Sequence, residues 1–455
     1  MISSPGIGSG LDVNTIVDQL LQIERLPIFQ LEARRAENDI KISALGQLSA
    51  DLSTLQSSVN TLASTSSFSE FTATSSNTAV FTATATTGAA VAEYDINITN
   101  LAVAHRLNSA AFTDENTDVG TGTLTISTGT DSFAVTIDTN NDTVAQIRDA
   151  INSASDNTGV TASIVTADDG ARLIFTADKS GTANKIEIIV SNDGDGNNTD
   201  NAGLSRLLYE DGGSNNRLVQ LDAAENATLT IDGFAVTSSS NSITTAITGV
   251  TVNLLSESTG TLNISASYNT VRSVLSSMAE RYNTLMDNIG ILRDGSLSNE
   301  SFLISLESQL SNVFANQYTG LGGNLTSVFD IGLSFDKEGV LTFDSSKFDT
   351  AIAADADAVA ELFTQATTGF GPGMNAVIDR YLGTTGIIQG KTDAVNTNST
   401  FLDERITSLN DRLIRTEERL LRQFTALDGL VAQLNATSTF LDQQLNLLNA
   451  NSQDG

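Results

Sequence analysis

Apolar residues recur at coiled-coil spacing near both ends of this chain. Leu45, Leu48, Leu52, Leu55, Val59 and Leu62 follow one another with gaps of 3,4,3,4,3, the heptad pattern of helices that bury a narrow seam. Val13, Ile16, Leu20 and Ile23 keep the same spacing upstream. Pro27 interrupts them, and because proline removes a helical hydrogen bond the sequence predicts a kink or break near Leu26. At the other end Leu402, Ile406, Leu409, Leu413, Thr416 and Leu420 have gaps of 4,3,4,3,4, and Phe424, Leu427, Val431, Leu434, Ser438, Leu441, Leu445 and Leu448 continue the run. The step Thr416–Leu420–Phe424 is a double four, a stutter that locally unwinds a supercoil. A seam this narrow stays half exposed on a lone helix, so each terminal helix needs a partner, from the other terminus or another subunit. The Val13–Ile23 stripe is expected to pair with the C-terminal helix around Leu427 to Leu448.

The middle of the chain has a different texture. Residues 72–268 are rich in Thr, Ser, Gly and Asn with alternating apolar positions, and TLTIST, FAVTID, ARLIFTA and KIEIIV read as short strands. A duplicated unit is expected, its first copy from Gly122 and its second from Ala227. Each reads strand, turn, strand, short helix, strand, with Asp142 and Asn241 where helix N-caps fall before DTVAQIRDAIN and NSITTAI. Helix then returns at Val271–Leu292 and in SFLISLESQLSNVF. A hairpin turning near Glu338-Gly339 follows, then helices in DTAIAADADAVAELF and MNAVIDRYL.

The fold class expected is α+β multidomain: a helical coiled-coil stem formed by both termini, with inserted β-rich head domains containing short helices. Residues 1–41 with 401–455 form a terminal leg that orders on assembly, and 42–71 with 269–400 a helical-bundle stem carrying the small hairpin. Residues 72–107 with 217–268 form a β-rich head domain, and 108–216 an inserted outer head domain. Charge follows the same division. Residues 42–269 carry 25 acidic and 7 basic side chains, whereas the last 55 carry 8 and 5, with Arg405, Arg412, Arg415, Arg419 and Arg422 on the final helix.

Composition excludes most chemistry. A net charge of −31 argues against nucleic-acid partners. There is no cysteine, so no disulfide, thiolate ligand or cysteine nucleophile, and His105 is the only histidine. No run of about 18 apolar residues predicts membrane insertion. The N-terminus lacks the basic and apolar regions of a cleaved secretion signal, and the Ser/Thr/Asn-rich composition leans toward export with that end uncleaved. The glycines of GIGSG (Gly6, Gly8, Gly10) follow no strand and precede no phosphate-binding lysine, so they read as a leader before a helix capped by Ser9 or Asp12. SNDGDGNNTDNAGL has Asp193, Asp195 and Asn197 at calcium-loop positions, but Asn198 replaces the required glycine and Leu204 the closing glutamate, so it reads as an exposed acidic loop. His105 reads as a surface or interface residue. No catalytic residue, cofactor site or metal site is expected. The residues alone leave three readings: an assembly factor, an extracellular adhesin with a helical stalk, and, weakest, a secreted hydrolase.

GIGSGLDVNTIVDQLLQIERLPI resembles the N-terminal signature of the bacterial flagellar filament cap family, hook-associated protein 2. ITNLAVAHRL, IGLSFDKEGVLTFDSSKFDTAIAADADAVAELF, GIIQGKTDAVNT and ERLLRQFTALDGLVAQLNATSTFLDQQL resemble further stretches of that family, in the right order. The resemblance implies export through the flagellar type III apparatus and assembly at the filament tip as a homo-oligomeric ring, often of five subunits. Heads then form a plate and helical legs reach down to the growing filament, where arriving flagellin folds. It also implies hook–filament junction proteins and an export chaperone at the C-terminal helix as partners, and for some members host mucin or surface glycans. The interruptions at Thr416 and Ser438 fit legs that must release and rebind.

Overall fold

The computed structural model describes residues 12–319 and 325–451, with backbone only for 447–451. The chain divides into two units, Met1–Thr65 with Asn269–Gly455, and Ser66–Tyr268. Helices are α1 (Val13–Leu62), α2 (Val144–Ser153), α3 (Asn269–Asp294), α4 (Phe302–Ala315), α5 (Ser345–Ala354), α6 (Ala356–Thr364), α7 (Phe370–Leu382) and α8 (Ile387–Asn451). All but α2 belong to the first unit.

The helical unit is organised on α1. Its heptad residues Leu48, Leu52, Leu55, Val59 and Leu62 are fully buried, and this half of the helix packs against α3 and α7. From α3 come Val271, Leu275, Met278, Tyr282, Leu285 and Ile289, all buried. The Arg281 guanidinium donates to the Thr54 carbonyl (2.8 Å) and the Ser58 hydroxyl (2.7 Å), and the Asn288 amide donates to Asp51 (2.8 Å). The Leu45–Leu62 seam is therefore closed within one chain.

Two expectations for this unit are corrected. Of the kink or break expected near Leu26, the break does not occur: α1 runs through Pro27 as one 50-residue helix. An interior proline costs about 3 kcal/mol or more, and here the long contact with α8 offsets it. Pro27→Ala restores the missing N–H donor to that turn, so it is expected to raise the unit's denaturant midpoint, by up to about 3 kcal/mol of stability; urea titration followed by circular dichroism reads the shift. DTAIAADADAVAELF is two helices rather than one. At Asp355 the backbone turns out of the helix (φ −161°, ψ 94°) and the carboxylate accepts the Ala358 N–H, capping α6, the local competition that makes aspartate a helix-boundary residue.

The inserted unit has two cores. Around the first, a five-stranded antiparallel sheet runs in the order Glu70–Ser75, Thr259–Ser267, Ala92–Asn100, Ala227–Ile231, Phe234–Ser238. It shares a core of Phe81, Ile96, Ile98, Leu229, Val252 and Leu262 with a three-stranded sheet, Ser242–Ile247, Val250–Leu254, Phe81–Ala85. The second core joins Leu124, Ile126, Ile147, Ile151, Phe175 and Ile188. They come from a sheet ordered Asp131–Ile137, Gly122–Thr128, Ile186–Ser191, from α2, and from a sheet ordered Val219–Asp222, Ala104–Asn108, Gly170–Ser180, Val160–Ala167.

The duplication is only partial. In the first copy α2 forms, but its cap is Thr143, whose side chain accepts from the Gln146 N–H while Gln146 reaches back, a capping box; Asp142 is not the cap. In the second copy NSITTAI is not a helix but the strand Ser242–Ile247. Its β-branched Ile and Thr residues favour the pleated surface. Asn241 caps nothing and instead bonds both the N–H (2.7 Å) and the carbonyl (2.9 Å) of Ala102.

Candidate assembly surface on the terminal helices

The N-cap of α1 is Asp12, whose carboxylate accepts the Thr15 N–H (3.1 Å) and hydroxyl (2.6 Å). Those bonds hold the carboxyl below its usual pKa. Ser9 and the three glycines of the leader lie outside the described residues.

Residues of α1 and α8 meet in antiparallel order. The Arg35 guanidinium donates to Asp403 (2.8 Å), and the buried Asn38 donates to Asn398 (2.8 Å) and Ser399 (3.1 Å). Further toward the start of α1, Val13, Val17 and Leu21 cluster with Leu413, Leu420, Leu421 and Phe424. Numbers rise along one helix as they fall along the other.

This register corrects the expected pairing. The start of α1 packs on Leu413–Phe424, not on Leu427–Leu448, because the Arg35 and Asn38 bonds already place Val13 near the level of Phe424. It also corrects the stripe. Val13 is buried and Ile16 half-buried, but Leu20 and Ile23 are 41% and 66% exposed, and Val17, Leu21 and Ile28 take their places. The buried spacing on α1 is four and four, matching the double four Thr416–Leu420–Phe424 on α8. Successive fours relax the left-handed supercoil, and both helices make that change at the same level. Val17 and Leu21 were visible as i+4 neighbours of Val13; an alternating 3,4 template passes over them.

On α8, Leu402 is buried and Ile406, Leu409, Leu413, Leu420, Phe424 and Val431 are half-buried. Leu427, Leu434, Leu441 and Leu445 are 48–60% exposed, as is Leu430, and the side chain of Leu448 lies outside the described residues. Past the level of Val13, α8 thus carries an apolar stripe that its own chain, among the described residues, does not cover.

The residues singled out for chemistry are structural. His105 is buried in the strand Ala104–Asn108, not at a surface. Its Nδ1 accepts the Ile186 N–H (2.9 Å), which leaves the proton on Nε2, facing the Gln220 carbonyl oxygen (3.3 Å); the same oxygen accepts the Tyr209 hydroxyl (3.1 Å). Burial pushes the His105 pKa down. The unfolded chain then takes up the proton first, so the head loses stability as pH falls below about 6.5. In His105→Asn the side-chain oxygen can replace Nδ1 as acceptor, and that part of the pH dependence is expected to vanish; melting curves from pH 8 to 5 read the difference.

Asp193 is likewise buried, although Asp195, Asn197 and Asn198 after it are exposed, as expected of the loop. One carboxylate oxygen of Asp193 accepts the Ser205 N–H (2.7 Å) and hydroxyl (2.6 Å), and Gly203, at φ +53°, lies against the other. Among the described residues no three His, Cys, Asp or Glu side chains are grouped to hold a metal, and no helix is long and apolar enough to cross a membrane.

A helical stem drawn from both ends of the chain, β-rich domains inserted within it, and polar groups spent on packing together define a structural assembly protein. Family models described as flagellar hook-associated protein 2 N-terminus and C-terminus match residues 9–105 and 224–436, and the flagellin hook IN motif matches 123–179. The chain is 32% identical to flagellar hook-associated protein 2 of Escherichia coli (strain K12) over 461 residues, covering 96% of each. It is 30% identical to B-type flagellar hook-associated protein 2 of Pseudomonas aeruginosa, covering 94% of each. The solved D1-D2-D3 domains of the flagellar cap protein FliD from Escherichia coli superpose with a TM-score of 0.64 at 30% identity, over 78% of this chain and 99% of that one. The chain belongs to the flagellar hook-associated protein 2 family, structural cap proteins and not enzymes. In the inserted unit the flagellin hook IN motif covers the strand–strand–α2–strand–strand run.

Proposed function

We infer that this chain caps the distal end of the bacterial flagellar filament outside the cell, as a homo-oligomer that promotes flagellin polymerisation and prevents monomers from leaking away. The observation that carries this reading is the nearly full-length relation to hook-associated protein 2. The open apolar stripe of α8 supports it, since a surface that must meet another subunit or flagellin is left uncovered by the described residues. The division into leg (1–41, 401–455), stem (42–71, 269–400) and two head domains (72–107 with 217–268, and 108–216) is part of the reading. So are a ring of five, docking on junction proteins, and a chaperone that shields the C-terminal helix during export; these rest on the family resemblance. A strain deleted for the gene is expected to shed monomeric flagellin into the medium and to lack filaments. A deletion strain that keeps full-length filaments and loses only surface attachment would identify the adhesin instead.

A further inference from the structure

The five arginines of α8 are ordered, and so are three of its acids. With the seam positions Leu402, Ile406, Leu409, Leu413, Thr416 and Leu420 assigned to a and d, Arg405, Arg412 and Arg419 all fall at g, and Arg415 and Arg422 at c. Glu404, Asp411 and Glu418 all fall at f. Every one of these side chains is exposed. On the seam's e flank this chain's own α1 reaches Asp403, through its pair with Arg35, and Phe424, through Val13, Val17 and Leu21. The g flank has no such partner: among the described residues Arg405, Arg412 and Arg419 make no ion pair, while at c Arg422 makes only a 3.9 Å contact with Glu418 one turn away.

We propose that this arginine row is a subunit contact that seats the acidic row of α8 from a second copy of the chain; the proposal rests on the homo-oligomeric cap reading. The argument is complementarity of both sign and period. Basic and acidic rows each repeat every seven residues, about 10.5 Å along the helix, and are displaced from one another by one residue. Two α8 helices lying parallel side by side can therefore oppose three arginines to three carboxylates in a single register. Each copy presents both rows, so the contact is heterologous, and heterologous contacts that repeat by rotation close into rings. In a chain of net charge −31, such a row also gives like-charged subunits a place to meet.

The test uses the full-length chain and its mass in solution by light scattering, at low and high salt. The wild type is expected to associate at low ionic strength and to weaken as salt rises. R405E/R412E/R419E and E404K/D411K/E418K are each expected to associate roughly tenfold more weakly or worse, since single exposed pairs are weak and act together only as a row. An equimolar mixture of the two variants is expected to recover association in complexes containing both, which a misfolded variant cannot do. A monomeric wild type, variants that assemble normally alone, or a mixture that fails to recover each overturns the proposal. So does association left intact while only flagellin binding is lost, which assigns the row to flagellin. The capping reading is judged separately, by the flagellin shed from the deletion strain.

Discussion

Replacing Leu427, Leu434 and Leu441 together with aspartate is expected to abolish filament growth while leaving the melting temperature of the isolated chain within a degree or two of wild type. These three leucines are 48–60% exposed, so the single chain has little apolar burial to lose there. Substitutions at such sites usually change stability by less than about 0.5 kcal/mol each. On the capping reading proposed above, the same leucines would be buried in a subunit contact, and burying a leucine contributes roughly 1.5–3 kcal/mol. Three carboxylates in that position must either shed their hydration or keep the surfaces apart. The separation of the two readouts is the point of the experiment. A complemented deletion strain carrying the triple variant should release flagellin as the deletion does, while circular dichroism reports normal helix. Normal filaments would place the apolar stripe outside the working contacts.

The opposite pattern is expected at Leu52. It is fully buried in the α1 seam against α3 and α7, and Leu52→Ala should cost about 2–5 kcal/mol, the lost transfer free energy plus the cavity left by partial relaxation. Denaturant unfolding should show the helical unit melting early. The inserted unit has its own two cores, to which Leu52 does not belong, so its transition should stay in place. Coincident movement of both transitions would mean that the two units unfold as one.

The contrast between these residues explains what could be read from the sequence. Leu45 to Leu62 obey a strict heptad because one helix face is enclosed along its whole length, and enclosure leaves the plainest periodicity. Val13, Val17 and Leu21 are spaced by fours, and a template that alternates three and four selects Leu20 and Ile23, which are exposed. The pairing partner was out of reach for another reason. Register between helices nearly four hundred residues apart is set by Arg35 with Asp403 and Asn38 with Asn398, and single polar pairs leave no periodic trace. In the head, His105 and Leu107 alternate with exposed Arg106 along one strand, so the period of two already pointed the histidine inward. Its polarity concealed that. NSITTAI could satisfy either a helix or a strand by apolar spacing, and pairing with Val250–Leu254 decided it. The assembly character was legible from composition and seams; the residues that contact other molecules were not, because exposed leucines become informative only once the chain's own partners are known.

The antiparallel contact of α1 with α8 joins the first turns of α1 to a segment some four hundred residues later. Closing that contact requires nearly the whole polypeptide to be present. While the chain emerges from any narrow conduit N-terminus first, Val13, Val17 and Leu21 have nothing to pack on until Leu413–Phe424 arrive. The α1–α8 contact is therefore among the last that a chain arriving in that order can close.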